Sequence, residues 1–208
     1  MISRRLHKIL GLLLLLPLLA WGATGIVFYF KPGYGDAYEQ LTPKFYPLKN
    51  VAPLIPENSA QWLKATRVQT QLGQHLLVNT ADGVAHLNAS TGAEFSQPTD
   101  AQLRAFINDA IAHNPARYGQ VIEREGDVFT TNTGVVITLD WPRLQLRQRG
   151  PDTEFIDTLY RIHYLQWSGF KTFDRVFGLL GIALLFSLSL LGFWLYLQHR
   201  RRTQRPTR

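Results

Sequence analysis

The chain has 208 residues, enough for one modest domain plus membrane segments, and a formal net charge of +7. That charge is unevenly spread. Arg4, Arg5 and Lys8 crowd the start, Arg200, Arg201, Arg202, Arg205 and Arg208 crowd the end, and all 15 acidic residues lie between Asp36 and Asp174. The middle is close to neutral, so the basic excess is a flank pattern beside apolar runs rather than a nucleic-acid footprint, and nucleic acid is excluded as a partner. The absence of cysteine excludes disulfides, iron–sulfur clusters, thiolate zinc sites and covalent c-type haem.

The two apolar runs come at the ends of the chain. Ile9 to Phe30 and Val176 to Leu197 are each 22 residues long and carry no charge. At 1.5 Å per residue such a run reaches about 33 Å, enough to cross a hydrocarbon core. Backbone groups in lipid must pair within their own segment, so both runs are expected to be helical. The first run also resembles a signal peptide, but its apolar core is too long and Ala20-Trp21-Gly22 is a poor cleavage site, so an uncleaved helix is expected. Pro17 is a candidate kink within it.

Both basic flanks put both termini in the cytoplasm under the positive-inside rule. The expected organisation is a cytoplasmic start at 1–8, a transmembrane helix at 9–30, an external domain at 31–172, a second transmembrane helix at 173–197 and a basic tail at 198–208. The cell envelope implied is a bacterial inner membrane with a periplasmic domain.

Within the domain, prolines at 43, 47, 53 and 56 make 31–58 mostly extended, with a short helix near Tyr38-Glu39-Gln40. Thr66 to Leu72, Gln74 to Asn79 and Val84 to Asn88 read as strands, the last two joined by an Ala81-Asp82-Gly83 turn. A helix capped at Thr99 or Asp100 has the apolar stripe Leu103, Phe106, Ile107, Ala110 and Ile111, and Asn114-Pro115 stops it. Four more strands follow at 120–125, 127–132, 135–141 and 144–149. Gly150-Pro151-Asp152 opens a helix that lies on the membrane surface or leads into the second crossing, with Gly169 as its end or a bend. Glu123, Glu125 and Asp127 read as a solvated face. The fold class is therefore a membrane protein of α+β type, two transmembrane helices flanking a small domain of hairpins and helices.

Three stretches together resemble a known family. Arg4-Arg5-Leu6-His7-Lys8 runs into a helix that ends in Ala23-Thr24-Gly25. A hairpin ends in Gly83-Val84-Ala85-His86-Leu87-Asn88-Ala89-Ser90-Thr91-Gly92-Ala93-Glu94, similar to the Thr-Gly-Glu ending of PepSY domains with Ala93 inserted. Leu159-Tyr160-Arg161-Ile162-His163-Tyr164, then Gly169, Phe173, Arg175 and Gly178, lead into the last helix. The chain resembles a compact, two-helix member of the PepSY-associated transmembrane proteins. Larger relatives have four or more crossings, and some reduce siderophore-bound iron with b-type haem. The resemblance implies that His7 and His163 are helix-end haem ligands. It also implies an electron-transfer subunit serving an external acceptor such as ferric siderophore or a flavoprotein.

Distance limits how the histidines can pair. His163 and His199 would lie about 54 Å apart on one continuous helix and cannot share an iron. His7 and His163 belong at opposite faces of the bilayer. His7 and His199 are both at the cytoplasmic face and can share one. His163 needs a mate from another subunit, so a homodimer is expected, or a different membrane partner. The competing reading treats these three as ordinary interfacial histidines and the chain as a non-catalytic anchor, whose domain binds a periplasmic partner or modulates a protease. His75, His86 and His113 read as surface histidines, with a weak metal site at His75 and His86 as the alternative. Ser168 lacks a positioned acid for a triad, and Thr24, Ser187 and Ser189 read as helix-packing or backbone-bonding groups.

Overall fold

The computed structural model describes residues 2–49 and 59–203, so the prolines expected to extend the chain at 53 and 56 lie outside the described residues. The element order is α1 (Ile2–Phe30), α2 (Tyr34–Ala37), a 3-10 turn (Ser59–Gln61), β1 (Lys64–Thr70), β2 (Gly73–Asn79), β3 (Val84–Asn88), α3 (Asp100–Ile111), α4 (Pro115–Tyr118), β4 (Val121–Glu125), β5 (Val128–Thr131), β6 (Val136–Asp140), β7 (Gln145–Arg149), α5 (Pro151–His163) and α6 (Lys171–Thr203). The chain divides into two compact units. One comprises residues 1–32 and 155–208, the other residues 33–154.

In the first unit α1 and α6 pack antiparallel. His7 meets Gly192, Gly11 meets Leu188, and Trp21 meets Gly181. Residues 7, 11, 14 and 21 of α1 share one stripe at the spacing of a shallow left-handed helix pair, and Leu14 is buried at 2% exposure. The other faces are bare. Leu12 is 77% exposed, Leu16 68% and Phe186 66%. Arg4–Phe30 and Lys171–Arg201 are both long and apolar enough to cross a membrane. Continuous apolar surface of this kind is intolerable in water and suits lipid.

The second unit holds two antiparallel meanders, β1-β2-β3 and β4-β5-β6-β7. α3 closes the core with the predicted stripe, since Leu103, Phe106, Ile107, Ala110 and Ile111 are all buried. Thr99 is its N-cap and forms a capping box with Gln102, satisfying two donors the helix start would otherwise leave open. That stripe packs on Phe129, Ile137, Leu139 and Leu146, the inward residues of β5, β6 and β7. A smaller cluster of Leu76, Val78 and Ala89 lies on the opposite face of β2.

Two local expectations change. The short helix forms at Tyr34–Ala37 and not at Tyr38-Glu39-Gln40, because Ala37 and Tyr38 donate back to Gly33 and Tyr34 while Glu39 is held by side chains. Asn114-Pro115 ends α3 but also starts α4, with Asn114 accepting from Arg117 N and Pro115 in the first turn, where its missing N–H costs nothing. Gly119 then turns the chain at φ +60, and a Cβ there would sit 1.9 Å from Asn132 Oδ1, so only glycine fits.

Candidate functional site

His163 is the last residue of α5, and its position follows from how that helix stops. Gln166 N–H donates to Arg161 O and Leu165 N–H to Ile162 O, the paired bonds of a Schellman ending. This ending needs a left-handed residue at position 165, and Leu165 takes it at φ +55. A side chain there is normally disfavoured by about 1 kcal/mol or more. Burial offsets that, since Leu165 is 2% exposed with its Cδ1 against Gly181 of α6.

The turn presses the end of α5 against α1. Trp21 Nε1 donates to His163 O at 2.5 Å, and Phe28 meets the imidazole edge-on at 5.0 Å. Thr24 Oγ1 lies 2.8 Å from His163 Nδ1 and 2.7 Å from Ala20 O. The carbonyl can only accept, so the Thr24 hydroxyl donates to Ala20 O and accepts from His163 Nδ1–H. The imidazole is thereby held as one tautomer, with its Nε2 lone pair free of any hydrogen bond among the described residues. Thr24 is thus a backbone-bonding group, as expected, and also the residue that orients His163. That second role leaves no mark in the sequence, because 139 residues separate the two.

His163 lines a cavity of about 1180 Å³ together with Trp21, Tyr164, Trp167, Gly178 and Ile182. Ser168, also in the lining, donates to Asp174 Oδ1 at 2.6 Å through its hydroxyl and at 3.0 Å through its backbone N–H. The acid the sequence did not place beside Ser168 is therefore present, but it holds the loop, and His163 bonds to Thr24.

The other two candidates are placed apart from His163. Thr24 is 17 residues beyond His7 on α1, about 26 Å of helix rise. His7 lies against Gly192, where a Cβ would come within 3.2 Å of its Cε1, and its Nδ1 is buried without a hydrogen-bond partner. His199 is exposed on α6, seven residues beyond Gly192, about 10 Å of rise past the level of His7. The small-residue positions Gly11, Gly181 and Gly192 are met by Leu188, by Leu165 with Trp21, and by His7, so side chains occupy the close approach between the helices.

Non-covalent b-type haem asks for an imidazole nitrogen that is unprotonated, unpaired and oriented by a hydrogen bond on its other nitrogen. With Nδ1 held on Thr24 and Nε2 free of any hydrogen bond among the described residues, His163 is the residue that could hold such a group. Among the described residues no group of three or more His, Asp or Glu side chains comes together as a metal centre.

The second unit contains a histidine cluster that the sequence reading placed on the surface. His75 is 0% and His86 7% exposed. In the β2–β3 register His75 faces Asn88 and His86 faces Leu77, which makes the two histidines diagonal neighbours on the face of Leu77. His86 Nδ1 lies 2.9 Å from Trp141 O, His75 Nδ1 2.8 Å from His86 Nε2, and His75 Nε2 2.7 Å from Thr70 Oγ1. Every donor follows from the carbonyl end. His86 donates to Trp141 O, His75 donates to His86, and Thr70 donates to His75 while accepting from Leu72 N–H. Both rings are neutral, and all four ring nitrogens are used, so no lone pair remains for a metal. Phe95 stacks on His75 at 4.3 Å and on His86 at 5.0 Å, and Trp141 packs at 4.6 Å from His86. Phe95 is delivered by the return after Thr91-Gly92, where Glu94 bridges to Leu87 and Phe95 N–H donates to His86 O. Burial, reinforced by repulsion from His86, pushes the His75 imidazole down to about 4, and burial likewise lowers His86. His113 stays half-exposed, bonded to Ala110 O and to Glu39.

A membrane helix pair joined in sequence by a sheet-rich α+β unit defines the class of this protein. A family model described as the PepSY-associated TM region matches residues 4–208, and the chain belongs to that family. No curated protein and no solved structure matches it.

Proposed function

We propose that this protein is an electron-transfer subunit of a bacterial inner membrane, with both termini cytoplasmic and residues 33–154 in the periplasm. His163 would hold a non-covalent haem b through its imidazole. The observation that carries the reading is the Nδ1–H of His163 held on Thr24, which leaves Nε2 unpaired among the described residues, in a residue that lines a cavity. Each chain offers one such imidazole near the periplasmic end of its helix pair, so a second copy would supply the other ligand in a homodimer. The haem would carry single electrons. The protein holds the ring in one orientation, with Thr24 on Nδ1, Phe28 edge-on against the imidazole and Trp21 on the His163 carbonyl. An external acceptor such as ferric siderophore or a flavoprotein would receive the electrons at the periplasmic side. His7, with its unpaired buried Nδ1, and His199 are the candidate pair for a second haem at the cytoplasmic end.

Detergent-purified full-length protein should show the reduced α-band of low-spin b-haem, lost in His163→Ala. With single His7→Ala and His199→Ala variants, any remaining haem per chain tells the two sites apart. A colourless preparation from haem-sufficient cells sinks the proposal and leaves the anchoring reading, in which the helices only tether the periplasmic unit.

A further inference from the structure

The cavity beside His163 has a charged side that the haem reading does not use. Arg161, Lys171 and Arg175 line it against a single carboxylate, Asp174. Asp174 is 6% exposed and already accepts two hydrogen bonds from Ser168. Lys171 and Arg175 are exposed and form no ion pair with any described residue. The following turns of α6 give the same cavity an apolar wall of Leu179, 63% exposed, and Ile182, 47% exposed. Trp167 also lines the cavity, an amphipathic ring of the kind that concentrates at membrane interfaces.

On the proposed topology these cations lie at the end of the helix pair opposite the Arg-rich tail. The positive-inside bias accounts for the tail and cannot account for them. Three cations against one carboxylate leave the cavity net positive, and a net positive site above an apolar helix face in the bilayer calls for an anion attached to an apolar body. A soluble phosphate would satisfy Lys171 and Arg175 but leave Leu179 and Ile182 uncovered. A lipid phosphate with its acyl chains satisfies both zones in one molecule.

We infer that this cavity binds an acidic phospholipid, its phosphate held by Lys171 and Arg175 with Arg161 beside them and its acyl chains lying along Leu179 and Ile182. The inference does not depend on haem, since it uses none of the nitrogen chemistry of His163.

The test uses delipidated, haem-free full-length protein in detergent, with phosphatidylglycerol, phosphatidylcholine, glycerol phosphate or metal-free protoporphyrin added separately. Thermal unfolding and native mass spectrometry are read for each. Phosphatidylglycerol should raise the unfolding midpoint and leave a retained adduct, while phosphatidylcholine and glycerol phosphate should not. K171Q/R175Q should weaken phosphatidylglycerol binding about tenfold or more. Both side chains are exposed, so the variant should fold with unchanged circular dichroism. His163→Ala should keep the full lipid response, which separates this outcome from failure of the haem reading. An equal response to glycerol phosphate, a response to porphyrin but not to phosphatidylglycerol, or undiminished lipid binding in K171Q/R175Q would overturn the inference.

Discussion

Thr24 shows how one hydroxyl can decide the chemistry available to a distant ring. Its proton goes to Ala20 O, so it can only accept from His163, and the tautomer follows. Thr24→Val keeps the shape and removes the acceptor. On the haem reading its haem affinity should fall about 10- to 100-fold, the usual cost of losing such an orienting partner, while Thr24→Ser should restore it. Titration of haem into the apo-protein measures both. The buried histidine pair obeys the same logic. His86→Leu leaves the His75 Nδ1 donor and the Trp141 carbonyl without their partner in a dry core, and should cost about 1–3 kcal/mol. The double variant H75F/H86L removes most of the polar chain and should cost less than the sum of its two singles. Denaturant melts of the four proteins form the cycle that checks it.

Arg117 is the other residue whose surroundings matter more than its identity. It donates to both oxygens of Asp152 and to Gln148, with the arginine side chain 8% exposed. Burial pushes the Asp152 carboxyl up, yet the hydrogen bond from Arg117 prevails and holds it below the usual range.

At the scale of elements, packing depends on where small residues fall. Gly181 faces Leu165 and Trp21, and a Cβ there would lie 2.9 Å from Leu165 Cδ1. Gly181→Val should therefore push the α5 ending off α6, lower the unfolding midpoint in detergent, and loosen His163. Gly22→Ala on α1, where nothing lies within 4 Å of the added carbon, should be tolerated. Comparing the two variants by thermal melts separates a specific contact from a general intolerance of bulk. The elements themselves were legible because their signals are local. The α3 stripe, its Thr99 cap and the Asp82-Gly83 turn each lie within a dozen residues, and all appear in the structure. The Tyr34–Ala37 turn was not legible, because its competitor near Glu39 is decided by His113 and Tyr118, more than 70 residues away.

At the scale of the whole molecule, the neutral histidine pair gives the fold a pH limit. The His75 imidazole sits at about 4 in the folded chain and near 6.5 when exposed, so the unfolded chain binds more protons between those values. The stabilisation is complete above about pH 6.5 and is lost as pH falls toward 4, reaching about 3 kcal/mol from this ring alone. Melts at pH 7.5, 6 and 5 should show a falling midpoint for the wild-type transition of this unit, and a flatter profile for H75F/H86L. An equal slope in both proteins would mean that the acid sensitivity over this range does not come from the buried pair, since carboxylates such as Asp100 and Asp152, whose values are depressed, act at lower pH.

The membrane character, the two crossings, the hairpins and the helix between the sheets follow from the sequence alone, because apolar length, alternation and capping act between neighbours in the chain. The sequence also singled out His163 through the family resemblance, but not the hydroxyl that orients it. Only the tertiary structure decided which histidines are dry, which nitrogens are taken and which cations face a common cavity. Hydrogen bonds such as Thr24 to His163 and His86 to Trp141 join residues far apart in the chain, and a ring nitrogen is donor or acceptor according to a partner that folding alone supplies.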